Sequence, residues 1–478
     1  MTLKTDHLAG GQFYIRVQDA LANAPIRANF RKAMDGLMHK RATALEDTQE
    51  RESLRELAAN VRLRALARLP ELLIQLEKKC QSQGIQVHWA QDAQQACEQV
   101  LAICQQRQAR TVIKGKSMVS EEMELNHFLA EAGIEALESD LGEYIVQLAQ
   151  ETPSHIIMPA IHKNTQQISQ LMHEKTGTQL SHDVAYLTEC ARQQLRERFQ
   201  QADIGLSGVN FAVAETGTLC LVENEGNGRL TTSVPSCHIA VMGIEKVVEH
   251  LEDVTPLLSL LTRSATGQAI TTYFNMISRP RQPDEKDGPE VVHLILVDNG
   301  RAHLYQDPEL RDTLRCIRCG ACMNHCPVYT RIGGHAYGTT YPGPIGKILM
   351  PHLTGFANNA ALPSASTLCG ACAEVCPVKI PIPDILVRLR REAVNGDQIN
   401  PSVMAEKGFK RTWKEALAWQ LWAYLAQRPR LYQIATKIAR LGHYWMPQSL
   451  GAWTQVRTAP RPAAKSLSQL RRDAEKSL

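Results

Sequence analysis

Cys316-Ile-Arg-Cys319-Gly-Ala-Cys322-Met-Asn-His-Cys326-Pro327 is answered further on by Cys369-Gly-Ala-Cys372-Ala-Glu-Val-Cys376-Pro377. The first run has the Cys-x2-Cys-x2-Cys-x3-Cys-Pro spacing of bacterial-type ferredoxins, and the second repeats it without its first cysteine. Seven of the thirteen cysteines fall in these two runs. A cubane cluster needs thiolates that converge on its iron corners from one tight loop. Two intervening residues let the backbone wrap the cluster with its N–H groups turned to the sulfurs. Gly320-Ala321 and Gly370-Ala371 keep matching positions small. The longer gap sends the fourth cysteine away, and the proline stops the chain from returning. In two-cluster ferredoxins that fourth cysteine ligates the other cluster. Carried onto this chain, the rule gives cluster 1 to Cys316, Cys319, Cys322 and Cys376, and cluster 2 to Cys326, Cys369 and Cys372.

Cluster 2 therefore counts three cysteines, and the position of the missing one is Ser366. Three outcomes stay open: a 3Fe–4S cluster, a 4Fe–4S cluster with Ser366 or water on the odd iron, or a ligand from another protein or a substrate. Zinc knuckles also use Cys-x2-Cys pairs. Seven cysteines fit tetrahedral zinc sites badly, however, and Cys-Pro endings are not a zinc feature.

The remaining six cysteines (80, 97, 104, 190, 220 and 237) are scattered, and Cys97 and Cys104 read as buried fillers on one helix. This usage points to metal or redox work in a cytosolic protein rather than to disulfides. The N-terminal stretch lacks the apolar core of a signal peptide. No run of apolar residues is long enough for a membrane span. Net charge is +4, but residues 401–478 hold 14 Lys/Arg against 4 Asp/Glu, leaving the rest acidic. Basic charge alone, with no motif behind it, does not argue for nucleic acid.

Outward from the cysteines the chain divides into four parts. Residues 1–60 read as a polar helical arm suited to packing on another subunit. Residues 61–302 read as an α/β domain, 303–395 as a helical ferredoxin-like domain, and 396–478 as a basic, Trp-rich helical region. Asn60–Gln81 carries leucines at helical spacing. Strands are expected at 85–89, 111–114, 134–137, 154–158, 204–214, 217–222, 238–242 and 291–298. Helices are expected at 92–106, 121–132, 165–174, 183–200 and 254–264. Such alternation predicts a mostly parallel sheet covered by helices, with ligands at the carboxyl ends of the strands.

Three segments stand at such ends. Lys114-Gly-Lys-Ser117 follows a strand but lacks the Walker A spacing. It serves as a helix cap, or as a seat for a carboxylate or phosphate. Glu138-Ser-Asp140-Leu-Gly-Glu143 clusters carboxylates where Ser139 or Asp140 would also cap the next helix. The third comprises Glu215 in Ala-Glu-Thr-Gly-Thr and then Glu223-Asn224-Glu-Gly-Asn227. Glu215, Glu223, Asn224 and Asn227 are the candidate catalytic or binding residues there, against a plain hairpin turn. His155, His162 and His238 sit near strand ends, each more simply read as structural. No Gly-x-Gly-x-x-Gly follows a strand, so any organic cofactor is expected on a partner or in a pocket that no motif marks.

Five of six tryptophans lie at or beyond Trp413. The stretch Trp413–Trp422 reads as a helix with one aromatic face, suited to a partner protein, to the chain's own core or to an anionic membrane surface. Residues 457–478 read as frayed.

Glu-Ser-Asp-Leu-Gly-Glu (138–143), Ala-Glu-Thr-Gly-Thr (214–218), Glu-Asn-Glu-Gly-Asn (223–227), Gly-Ile-Glu-Lys (243–246) and the cysteine runs together resemble the lactate utilization iron–sulfur protein B family. The resemblance covers nearly the whole chain. It implies a first domain similar to the sugar-phosphate isomerase and CoA-transferase fold, and two iron–sulfur clusters on the seven cysteines. It also implies two companion proteins in the oxidation of L-lactate to pyruvate. It assigns no catalytic residue. The family pattern itself has three cysteines in its second run. Three functions are then in view: an electron-transfer subunit of that complex, a catalytic subunit with the lactate site in its α/β domain, and a redox-sensing scaffold.

Overall fold

The short apolar runs between residues 85 and 297 become strands: β1 (Ile85–Ala90), β2 (Thr111–Lys114), β3 (Glu135–Glu138), β4 (Ile204–Gly208), β5 (Phe211–Val213), β6 (Thr218–Glu223), β7 (Cys237–Gly243), β8 (Val247–Val248), β9 (Tyr273–Ile277) and β10 (Val291–Val297). The computed structural model describes residues 13–395, 413–442, 454, 459 and 461–475. A six-stranded parallel sheet has the order β1-β10-β7-β4-β2-β3. Its central β7 is buried along its whole length. That explains why this strand reads as a continuous apolar run and not as an alternating one. Helices cover the sheet, with Ala96, Cys97, Val100 and Cys104 in one core with Ile204, Ile239 and Val241. At Gly205 a Cβ would stand 1.9 Å from the Thr231 carbonyl oxygen, so only glycine lets the helix Asn227–Ser233 lie this close to β4.

A second sheet, β8-β5-β6-β9, is mixed, with β6 antiparallel to both β5 and β9. Sequence alternation does not separate it from the first, and β9 goes unread, because Tyr273–Ile277 is only half-buried and follows a loop. The strand expected at 154–158 does not form. Pro153 and Pro159 flank it, and the His155 ring takes its backbone donors instead, Nδ1 accepting from the N–H groups of Ile157 and Met158. The single helix expected over Asn60–Gln81 is broken at Arg68, between Thr48–Ala67 and Leu69–Ser82. Pro70 in the first turn of the second helix has no N–H to continue the first.

The N-terminal helices Phe13–Ala22, Ala24–Ala44 and Thr48–Ala67 lie against the chain's own cysteine-bearing region, which corrects the reading of an arm for another subunit. Arg16 donates to the Ala336 and Tyr337 carbonyls, Arg41 to Val375, and Arg55 to Cys376 and Ala373. Arg62, buried, donates to the carbonyls of Val247, Leu314 and Arg315. These contacts all fall within one compact unit, residues 1–408.

The second unit, residues 409–478, contains the helices Trp413–Ala426, Pro429–Leu441 and Leu467–Glu475. The last of these corrects the frayed reading for 467–475. Trp422 and Tyr432 meet edge to face with ring centroids 6.3 Å apart. Trp413, Leu417, Trp419, Leu421, Trp422 and Tyr424 are all exposed within the chain. They lie around the helix and not along one stripe, so the single aromatic face does not exist. Trp445 and Trp453 lie outside the described residues. Among the described residues no helix is long and apolar enough to cross a membrane.

Candidate functional site

The two cysteine runs fold as copies of one another. Gly320 and Gly370 both have φ +84° and both start a one-turn helix, Ala321–Asn324 and Ala371–Glu374. Arg318 (φ 60°) and Leu368 (φ 54°), two residues earlier, are left-handed as well. The match reaches the position of the absent cysteine. The Arg318 N–H donates to Cys316 Sγ at 3.4 Å, and the Leu368 N–H donates to Ser366 Oγ at 3.2 Å. At the other end of each run the Tyr329 N–H donates to Cys326 Sγ and the Ile380 N–H to Cys376 Sγ.

The thiols converge in two groups. Cys322 is held protonated first by burial and then by the charges of Cys319, Cys316 and Cys376. Cys319 is raised by burial, then by Cys316 and Cys376. Cys372 is pushed up to about 11 by burial, then by Cys326, with Cys369 contributing and Lys347 opposing. Four buried or half-buried thiols that repel one another as anions are a donor set awaiting iron, which would take the thiolates and remove the penalty. In the first group Cys319, Cys322 and Cys376 are buried and Cys316 is half-buried, whereas Cys369 of the second is exposed. Lys347, wholly buried, directs its ammonium to Cys326 Sγ at 3.6 Å and over the Tyr337 ring.

Beside the first group lies a cavity of ≈ 230 Å³ at the carboxyl ends of β2, β4 and β6. It is where the strand-end rule for open α/β sheets expects a ligand. Lys116 and Ser117 line it after β2, Asp140 after β3, Asn210 after β4, Asn227 after β6 and Lys246 after β7, and Arg318 and Tyr341 close it from the cysteine region. Ser117 and Asp140 also cap their helices, accepting from Ser120 and from Gly142 and Glu143. Capping and cavity lining therefore coexist at both. Lys116 bonds Glu143 at 2.9 Å and the Ile157 carbonyl at 2.8 Å. Lys114 is fully buried on Glu138 (2.6 Å) and Asn126 (2.6 Å), facing the helices and absent from the cavity wall.

The four candidate polar residues separate. Glu223, Asn224 and Asn227 line the cavity, and Glu215 does not. Glu215 is half-exposed on the second sheet, accepting from the Leu251 N–H and 3.5 Å from His250. Glu223 has both oxygens engaged, by the Gly228 and Arg229 N–H groups and by Asn275. Asn224 bridges to Gln268 and Thr272. Asn227 is buried and its Oδ1 has no partner among the described residues. His155 packs against Gly320 of the first cysteine loop and bonds Asn324 at 2.9 Å. His238 bonds Ser207 at 2.8 Å inside the sheet, and His162 bonds Glu151 at 2.6 Å. Burial lowers all three to about 4, keeping them neutral.

Beneath the cavity runs a buried ion network that sequence reasoning missed. Arg301 makes two parallel bonds of 2.8 Å to Glu122 and one of 2.6 Å to Glu245. Arg318 reaches the other Glu245 oxygen at 3.2 Å, and Tyr341 donates to Glu122 at 2.9 Å. Despite full burial, the charges of Arg301 and then Arg318 hold the Glu245 carboxyl down at about 2. The available signals were Glu245-Lys246 just past a strand end and Arg318 between two cysteines. Each needs the tertiary fold to acquire meaning.

Comparison with known proteins finds three family models along the chain. The LUD domain matches residues 73–297, the 4Fe-4S dicluster domain residues 312–380, and the Lactate utilisation protein B C-terminal model residues 388–476. Lactate utilization protein B of Bacillus thuringiensis (strain Al Hakam) is 41% identical over 476 residues, 97% of this chain and 98% of that protein. The Bacillus pumilus (strain SAFR-032) protein is 40% identical over 461 residues, 94% and 95% of the two chains. The Escherichia coli (strain K12) protein named "Uncharacterized electron transport protein YkgF" is 40% identical over 475 residues, 98% and 97%. A solved duf162 family protein from Deinococcus radiodurans covers 48% of this chain and 98% of its own at 16% identity. Its TM-score of 0.28 carries no argument. Near-complete coverage at this identity, over both the α/β and the cysteine regions, makes the chain a member of the lactate utilization protein B family, an iron–sulfur component of lactate use.

Proposed function

We propose that this protein is the iron–sulfur electron relay of a cytoplasmic assembly that oxidises L-lactate to pyruvate with two companion proteins. Cluster 1 would be held by Cys316, Cys319, Cys322 and Cys376, and cluster 2 by Cys326, Cys369 and Cys372 with Ser366 as its fourth ligand. The observation that carries this reading is the crossed grouping of the thiols, with Cys376 of the second run among the cysteines of the first. Ser366 is favoured over water, over a 3Fe cluster and over an outside ligand because its hydroxyl repeats the local hydrogen bond of Cys316. Clusters that share ligands across two loops lie close, which suits single-electron transfer. The direction runs from the more buried cluster 1 to cluster 2 at the exposed Cys369. In this reading residues 61–302 form the lactate-utilization-type α/β domain, kin to the isomerase and CoA-transferase fold, and 303–395 the cluster domain.

The test is anaerobic purification with iron and sulfide analysis and electron paramagnetic resonance, with and without L-lactate. About eight irons, and a signal that lactate changes only when the companion proteins are added, is the expected result. An iron-free protein, or a Cys376→Ala variant that keeps the cluster 1 signal, would overturn the assignment. A second reading makes the α/β domain itself the lactate site. It is favoured by the cavity whose wall includes Arg318, one of the two residues between Cys316 and Cys319. Reduction of the isolated protein by lactate is the outcome that reading requires.

A further inference from the structure

Glu151 and His162 stand at the two ends of a loop that closes on itself, the Ser154 N–H donating to the Pro159 carbonyl at 3.0 Å. His335 reaches them from the segment between the two cysteine runs. Two contacts press that segment onto the loop. The Tyr329 O–H donates to the Ser154 carbonyl at 2.7 Å, and a Cβ at Gly334 would stand 1.8 Å from the same oxygen. The backbone thus gathers two imidazoles and a carboxylate, and one ligand atom from each lies within 4.8 Å of the other two. Around a tetrahedral zinc such atoms stand roughly 3.4 Å apart, so small side-chain movements close the set on an ion.

Three details favour an ion over a plain hydrogen-bonded cluster. His162 is 7% exposed, yet only its Nε2 is bonded, to Glu151 at 2.6 Å, and its Nδ1 has no partner among the described residues. A buried ring nitrogen left unbonded costs free energy that an ion relieves, since the ring can carry its proton on one nitrogen and give the other to the metal. His335 Nε2 meets the Thr152 carbonyl at 2.7 Å, the anchoring bond that a ligating histidine makes with its other nitrogen. A cavity of ≈ 270 Å³ adjoins both histidines, with Arg16, Asp19 and Ser154 also in its wall, so water has a route to a fourth position. Lys163 opposes a cation: it holds the second Glu151 oxygen at 2.7 Å and leaves one for a ligand.

We propose that Glu151, His162 and His335 form a three-ligand site for one zinc ion, separate from the iron–sulfur clusters, with water from the adjoining cavity as the fourth ligand. Two imidazoles and a carboxylate suit zinc and also iron(II), and the order of divalent affinities puts zinc ahead. No cysteine contributes, so the site is independent of how the seven thiols divide between clusters. The ion clamps two segments that both bear on the cysteine region. One is the loop whose His155 packs against Gly320, and the other leads into Tyr337, whose ring lies under the Lys347 ammonium.

Equilibration of the full-length, anaerobically purified protein with zinc chloride, followed by desalting and metal analysis, tests this. The wild type should retain about one zinc per chain with its iron content unchanged. Zinc-edge X-ray absorption should show nitrogen and oxygen ligands at about 2.0–2.2 Å and no sulfur at about 2.3 Å. His335→Ala and Glu151→Gln, both at partly exposed positions, should keep normal cluster spectra and weaken zinc roughly 100-fold or more. Lys163→Met frees the carboxylate and removes a nearby positive charge, so it should tighten zinc about tenfold, a gain that a merely structural cluster would not produce. Wild-type protein with full iron that retains no zinc would overturn the site. So would zinc held through sulfur, or zinc retained equally by both ligand variants. Iron(II) bound there more tightly than zinc would overturn the choice of ion.

Discussion

Replacing Lys347 by methionine should lower the reduction potential of cluster 2 by about a tenth of a volt. The ammonium is 0% exposed, 3.6 Å from Cys326 Sγ and 5.5 Å from the centre of the Tyr337 ring. No carboxylate among the described residues neutralises it, and its charge is felt at Cys369 and Cys372. An electron added to the cluster would sit about 6 Å from Nζ, one coordination bond beyond the sulfur. At an effective dielectric of about 20 the attraction is about 2.8 kcal/mol. For a one-electron couple, about 59 mV per tenfold change converts this to about 120 mV. Methionine keeps the length and apolar character of the stem, so packing is least disturbed. The assay is a redox titration followed by paramagnetic resonance on the anaerobically purified full chain, with Lys347→Arg as the charge-conserving control. An intact two-cluster Lys347→Met protein with its cluster 2 potential within about 20 mV of wild type would refute the reasoning. So would an equal shift of both clusters, because that would place the charge between them.

Arg301→Met should destabilise the protein by about 3–5 kcal/mol, since it strands two buried carboxylates, measured by urea denaturation. Adding Glu122→Gln should recover part of the loss, and an additive further loss would contradict the network. Ser366→Cys should preserve cluster 2 as 4Fe–4S through mild air exposure that degrades it in Ser366→Ala, read from the 3Fe signal. Equal lability of the two variants would remove Ser366 from the ligand set. Lowering the pH from 7.5 to 5.5 should cost stability through the buried neutral His155 and His238, both held at about 4 by burial. Their folded values lie below the unfolded value near 6.5. The unfolded chain therefore takes up the extra protons, and stability present above about pH 6.5 falls toward pH 4, by up to about 1.4 kcal/mol per pH unit per group. His238→Asn should flatten that slope by about one proton, and an unchanged slope would contradict its burial as the neutral form.

The parallel sheet was legible because its central strands are buried on both faces and so read as unbroken apolar runs, as in Cys237–Gly243. The helix caps at Ser117 and Asp140 were legible for a local reason, since cap chemistry acts within a few residues. Ser154–Met158 misled because an apolar run between prolines looks like a strand until a histidine ring supplies the acceptor that a neighbouring strand would. The cysteine positions were plain, but which thiols lie together had to be carried over from ferredoxin behaviour. At the cavity, Asn227 was found from its turn-rich context, while Lys246 and Arg318 were not. Their place in its wall depends on contacts between distant segments, as between Arg318 and Glu245, which no spacing encodes. Glu223 had the right place, and only the geometry reveals that backbone donors already saturate it.

The grip of the N-terminal helices on the cysteine loops sets an order of events during synthesis. Arg55 bonds the Cys376 carbonyl across 321 residues of sequence, and Arg62 bonds that of Arg315 across 253. The helices that carry these guanidinium groups therefore leave the ribosome well before the acceptors they hold. Contacts of such separation form late and slowly. Iron delivered before Cys376 emerges would meet three cysteines of cluster 1 and an unfinished cradle. The cluster 1 cradle is thus a long-range construction, complete only once the second cysteine run has joined the first under the N-terminal helices.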